Sequence, residues 1–185
     1  MAGINTTELT NSSGRNRPVT STSPVTTPHS PTTSPQPIQL APVRLRRAIV
    51  NGGGQNKDYS HANLSGANLA GLDLHGICLV GADLSGANLS HCNLVGANFS
   101  GAILVGADLT EAQLAGANLS GSDMNGACLV RTDLSCGVVE RANVQNANFC
   151  GATLTSIRVS GTDFSVADMR GVQFSRSPSK HHNVE

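Results

Sequence analysis

The sequence predicts an all-β solenoid in which short, near-identical units are laid down as successive turns of a rod. Two observations predict it. Every fifth residue from Tyr59 to Phe174 is apolar, with no slip of frame over 24 positions. Around each of these centres the same small set recurs: mostly Ala two residues before, mostly Asp or Asn one residue before, and often Gly two residues after. A period of five matches neither the 3.6 of a helix nor the 2 of a strand. It fits one tight turn per unit.

Residues 1–40 come first and do not share this pattern. Between Pro18 and Pro37, six residues are Pro and ten are Ser or Thr. Such a segment buries too little apolar surface to offset its ordering entropy, so it is expected to be a disordered tail. It contains four Ser/Thr-Pro steps, at Ser23, Thr27, Ser30 and Ser34. In a eukaryotic host these suggest phosphorylation. Residues 41–56 change character. Pro42 suits a first helical turn, and Val43, Leu45, Ile49 and Val50 give a partial apolar stripe. Gly52-Gly53-Gly54 ends the segment, so a short cap helix followed by a Gly linker is expected. Arg44, Arg46 and Arg47 then lie on a solvated face.

The repeat fills residues 57–176. The centres run Tyr59, Leu64, Leu69 and onward, and all the Phe and the single Tyr lie on this register. Of the chain's 20 Gly, 14 stand two residues after a centre. Gly accepts the positive φ of a tight corner. Centre and Ala point inward, and the residues between them point out. With four units per turn the section is square, and turns stack as parallel ladders about 4.8 Å apart. Six turns would make a rod about 29 Å long at that spacing. Residues 177–185 form a polar tail containing Pro178, with no helix evident to close the last turn.

The units Ala62-Asn63-Leu64-Ser65-Gly66 and Ala107-Asp108-Leu109-Thr110-Glu111 resemble the pentapeptide-repeat family. The resemblance covers about 120 residues. It implies a right-handed quadrilateral β-helix. It also implies a binding role, because known members are mostly binding proteins: some protect DNA gyrase by imitating DNA, and some are secreted bacterial effectors.

Composition narrows the function. The chain has 12 basic and 12 acidic residues, so a strong electrostatic nucleic-acid binder is not expected. No apolar run reaches the length of a membrane span, and no basic-then-apolar leader marks a secretory signal. The five cysteines Cys78, Cys92, Cys128, Cys136 and Cys150 form no CxxC pair, which fits reduced thiols in a cytoplasmic setting. The repeat Asp residues all occupy one frame position, where Asp specifies a turn. Without an inserted loop there is no cleft for a catalytic carboxylate pair. His61, His75 and His91 do not stack on one another at a period of 20, so no metal cluster is expected. The chain is therefore read as non-catalytic, with no cofactor and no metal.

What remains is surface. Outward apolar pairs flank the centre at Cys78/Val80, Ile103/Val105 and Cys128/Val130, recurring every 25 residues. Each step climbs one turn and rotates one wall, giving a diagonal apolar stripe that is the candidate partner-binding surface. The expected function is a protein-binding scaffold with an unidentified protein partner, and the open C-terminal turn suggests a homodimer. Two alternatives stand beside it. The Ser/Thr/Pro-rich leader is similar to type III secretion leaders, which would make the chain an effector delivered into a host cell. A DNA-imitating topoisomerase ligand would need an acidic face. Residues 57–130 carry six acidic and one basic residue, but their Asp are spread over all four walls.

Overall fold

The computed structural model describes residues 42–174. The tail expected over 1–40, the segment 177–185 and the last two repeat positions lie outside the described residues.

Helix α1 spans Pro42–Gly52. Pro42 lacks an N–H to leave unpaired at its first position. Gly53 follows at φ 60°, the left-handed conformation that closes a helix end. Lys57 Nζ donates to the Gly52 carbonyl, placing a cation at the negative end of the helix. Ile49 is buried and belongs to the core of the repeat, whereas Val50 is exposed and faces away from it. Gly54 passes so close to Leu74, Ile49 and Ile77 that a Cβ there would collide with the Leu74 side chain.

From Asp58 onward the backbone forms a β-helix solenoid. Residue i bridges residue i + 20 in parallel, beginning with Asp58 and Cys78, then Asn63 and Asp83, Asn68 and Asn88, Asp73 and Asn93. One turn is thus four five-residue walls. We label them a (57–61), b (62–66), c (67–71) and d (72–76), each continued every 20 residues. Three axial hydrogen bonds join a regular wall to the next turn. On wall b, Leu84 N–H donates to the Ile103 carbonyl (2.7 Å), Gly86 N–H to Val105 (2.8 Å), and Ile103 N–H back to Ala82 (2.9 Å). A fourth bond closes most corners, as from Ala87 N–H to the Leu84 carbonyl (2.9 Å).

The core is one column. Centres from Leu64 to Leu154 are buried, with Phe99 and Phe149 the bulkiest, and the Ala positions line the remaining interior. Where the small inward residue is polar, it is satisfied in place. Cys92 Sγ donates to the Leu69 carbonyl, Thr132 Oγ1 to Leu109, and Ser122 Oγ to Leu119. Burying a hydroxyl without a partner would cost roughly 1–3 kcal/mol.

Corners obey a strict rule. From His61 to Gly171 every corner residue has positive φ, Gly or not, except Val166. The ladder also lapses once between Asp58 and Gln173, at Asn143 and Asp163, on the same wall. In the last described turn the centres Val159, Phe164, Met169 and Phe174 are only partly covered. Phe164 still meets Phe149 edge-on, with centroids 5.6 Å apart.

Candidate interaction surface

Each wall shows to the outside the residue before the centre and the one after it, with the corner residue beyond them where it is not Gly. The first is held by its own turn. Asp83 Oδ1 accepts from Ser85 N–H (2.9 Å) and Ser85 Oγ (2.6 Å), and Asp58 with Ser60 and Asp133 with Ser135 repeat this. Asn88 and Asn118 use their amide oxygens in the same way. This side-chain-to-backbone turn is why Asp and Asn alternate freely at the position. Amides also bridge turns: Asn93 Nδ2 donates to Asp73 Oδ1 (2.8 Å), and Asn143 Nδ2 to Asp123 Oδ1 (2.9 Å).

These bonds set the local electrostatics. The Ser60 hydroxyl holds Asp58 below the ordinary carboxylate range, and backbone donation from Ser165 does so for Asp163. His75 lowers Asp73 and the Arg170 guanidinium lowers Asp168. Burial pushes the Cys92 thiol up. One corner column carries charge: Glu111 lies between His91 (3.3 Å) and Arg131 (3.3 Å), each one turn away. All three are exposed, so the ladder adds little stability. Among the described residues no group of three His, Cys, Asp or Glu could hold a metal ion, and no helix is long and apolar enough to cross a membrane.

The six surface residues singled out in the sequence divide by exposure. Ile103 and Val105 stand together on wall b and are 42% and 37% exposed. Cys78 and Val80 on wall a, and Cys128 and Val130 on wall c, are half-buried. The two thiols lie against hydroxyls of the turn below, Ser60 (3.3 Å) and Thr110 (3.2 Å). The geometry keeps the members of each pair on one wall and puts the three pairs on three successive walls. Sequence reasoning missed Val95 on wall d, as exposed as Ile103. Its flanking partner is Asn93, so a search for apolar pairs passed over it; the outward register alone would have found it.

A family model for pentapeptide repeats matches residues 58–86, 82–121, 104–135 and 142–177, in eight copies. The chain belongs to the pentapeptide-repeat family. Its fold is that family's right-handed β-helix. Among solved structures, a pentapeptide repeat protein, Rfr23, from the cyanobacterium Cyanothece 51142 is 23% identical, with 72% of this chain and 96% of that one covered and a TM-score of 0.39. HetL, involved in heterocyst differentiation regulation in Nostoc sp. strain PCC 7120, is 26% identical over 64% of this chain and 72% of its own, at a TM-score of 0.28. The plasmid-mediated fluoroquinolone resistance protein QnrB1 is 18% identical over 67% of this pentapeptide-repeat chain and 85% of its own, at a TM-score of 0.33. No curated protein sequence matches the chain.

Proposed function

We propose that this pentapeptide-repeat protein is a non-catalytic scaffold that binds a protein partner through the apolar residues of its walls. The observation that carries the reading is that Ile103 and Val105 are both exposed on one wall, flanking a single centre, whereas Val95 on wall d is flanked by Asn93. Cys78, Val80, Cys128 and Val130 extend that pair diagonally onto the adjoining walls. The rod is taken as six turns, with α1 covering its first end and a second copy pairing with its C-terminal turn.

The test changes Val80, Ile103, Val105 and Val130 together to Ser and compares affinity capture with the unchanged chain. Loss of the same captured partner, with folding intact, supports the reading. Equal capture removes it. A control set on wall d, Val95→Ser with Ala115→Ser, should leave capture unchanged.

Imitation of DNA is the competing reading. Wall b carries Asp83, Asp123 and Asp163 on alternate turns, about 10 Å apart at the ladder spacing. That is about one Debye length at physiological salt, so the three act weakly together. An effect of the purified chain on gyrase supercoiling, abolished by Asp83→Asn with Asp123→Asn and unaffected by the apolar substitutions, would favour it over the scaffold.

A further inference from the structure

We propose that wall 162–166 is a built-in seam, at which the last described turn opens locally while the rest of the solenoid stays folded. The cause is a single side chain. The corner column on this edge runs Gly66, Gly86, Gly106, Gly126, Asn146, Val166. The first five have φ between 55° and 66°, whereas Val166 does not enter the positive region. A β-branched residue is strongly disfavoured there, because its Cβ substituents clash with the backbone. The chain therefore leaves the corner conformation at this one position.

The consequences can be read bond by bond. Corner amides donate to the residue 19 positions on, as Gly126 N–H does to the Gln145 carbonyl (2.9 Å). Asn146 N–H reaches instead to Val166 itself, at 3.3 Å, a slip of one residue. Two ladder bonds present on the other three walls of this interface are missing. On wall a, Val139 N–H donates to Arg158 and Arg158 N–H to Gly137. On wall c, Phe149 N–H donates to Asp168 and Asp168 N–H to Ala147. Wall d repeats both with Leu154, Gln173 and Ala152. On wall b the equivalent donors, Val144 N–H and Asp163 N–H, have no hydrogen bond among the described residues, although Val144 is buried.

Two other contacts keep the seam shut. Thr162 Oγ1 accepts from Ala142 N–H (3.0 Å) and donates to the Val139 carbonyl, standing in for the direct bond between those groups. Phe164 rests its ring on Phe149. The wall is pinned by Thr162 and Phe164, and its corner keeps the bond from Ala167 N–H to the Phe164 carbonyl (3.0 Å), but along the ladder at Asp163 it is unbonded. An opening would carry Phe164 and Val166 outward and uncover Val144 and the edge of the turn below. A loss of ladder bonds confined to one wall gives that wall a low opening energy of its own.

The experiment is amide hydrogen exchange of the full chain, resolved by NMR. It compares Val144 and Asp163 with Val139, Arg158, Phe149 and Asp168, which belong to the same interface and are equally near the end. In the unchanged protein the wall b pair should exchange at least about tenfold faster, with a denaturant dependence far below that of global unfolding. Val166→Asn installs the residue that already makes this corner one turn below, and Val166→Gly is the second variant. Either should bring Val144 and Asp163 to the protection of the other walls. Equal protection on all walls in the unchanged chain overturns the proposal. So does fast exchange at Val144 and Asp163 that persists in both variants.

Discussion

A carboxylate that accepts two or three hydrogen bonds on its own turn is a titration site as well as a turn device. Asp58, Asp73, Asp163 and Asp168 are all held below the usual carboxylate range, by the Ser60 hydroxyl, His75, the Ser165 backbone and Arg170 respectively. A folded-state value lower than the unfolded one means that protonation favours unfolding. Their contribution is fully present above the unfolded carboxylate range, near about pH 4, and fades as pH falls through the lowered values. A midpoint of thermal unfolding that is flat above about pH 5 and declines below about pH 4 is the expected profile. Asp58→Asn should leave the midpoint at neutral pH nearly unchanged, because Asn makes the same turn at Asn88 and Asn118, and should shallow the acid decline. Inside the rod the residue scale is harsher. Leu104 is fully buried in the core column, so Leu104→Ala should cost about 2–5 kcal/mol by denaturant melting.

At the level of the element, α1 and the wall obey different rules, and the sequence exposed them unequally. The repeat was legible almost residue by residue, because period, Ala, Asp/Asn and Gly each report one geometric position. Helix α1 was legible from Pro42 and Gly53, but the outward turn of Val50 was not, since a stripe of four apolar residues does not say which of them reaches the core. Gly54 was read as part of a terminator. The structure gives it a second duty, as the point where the chain slides past Leu74 and Ile49. Gly54→Val should therefore lower stability by about 1–3 kcal/mol through overpacking, whereas the same change at an open corner would act through φ alone. Val166 was hidden for a related reason. Its mismatch is a matter of backbone angle at one corner, and the apolar register, which stays in frame at Phe164, carries no trace of it.

Across the whole molecule the frame decides which residues meet. The surface pairs Cys78/Val80, Ile103/Val105 and Cys128/Val130 were found by spacing, yet their unequal exposure was not legible. It depends on neighbours one turn away, such as Ser60 under Cys78 and Thr110 under Cys128. The wall assignment makes a length prediction. Deleting 97–116, one whole turn, leaves every downstream residue on its wall and should give a shorter folded rod with a cooperative melt. Deleting 97–101 shifts everything downstream by one wall, so Ile103/Val105 would move from wall b to wall a and stand above Cys78/Val80. That variant should fold by circular dichroism and change partner capture, if the diagonal arrangement is what a partner reads.

Every axial hydrogen bond joining two regular turns spans 19 or 21 residues, wherever along the chain it lies. Loop closure therefore costs the same for the fifth turn as for the second, and a longer solenoid of this kind meets no greater topological barrier. Assembly becomes a process of nucleation and growth. The first two turns must form together, and each later turn then zips onto a finished template. The end bearing α1 and Ile49 is the natural place for that nucleus, and the wall that ends in Val166 would be among the last to close.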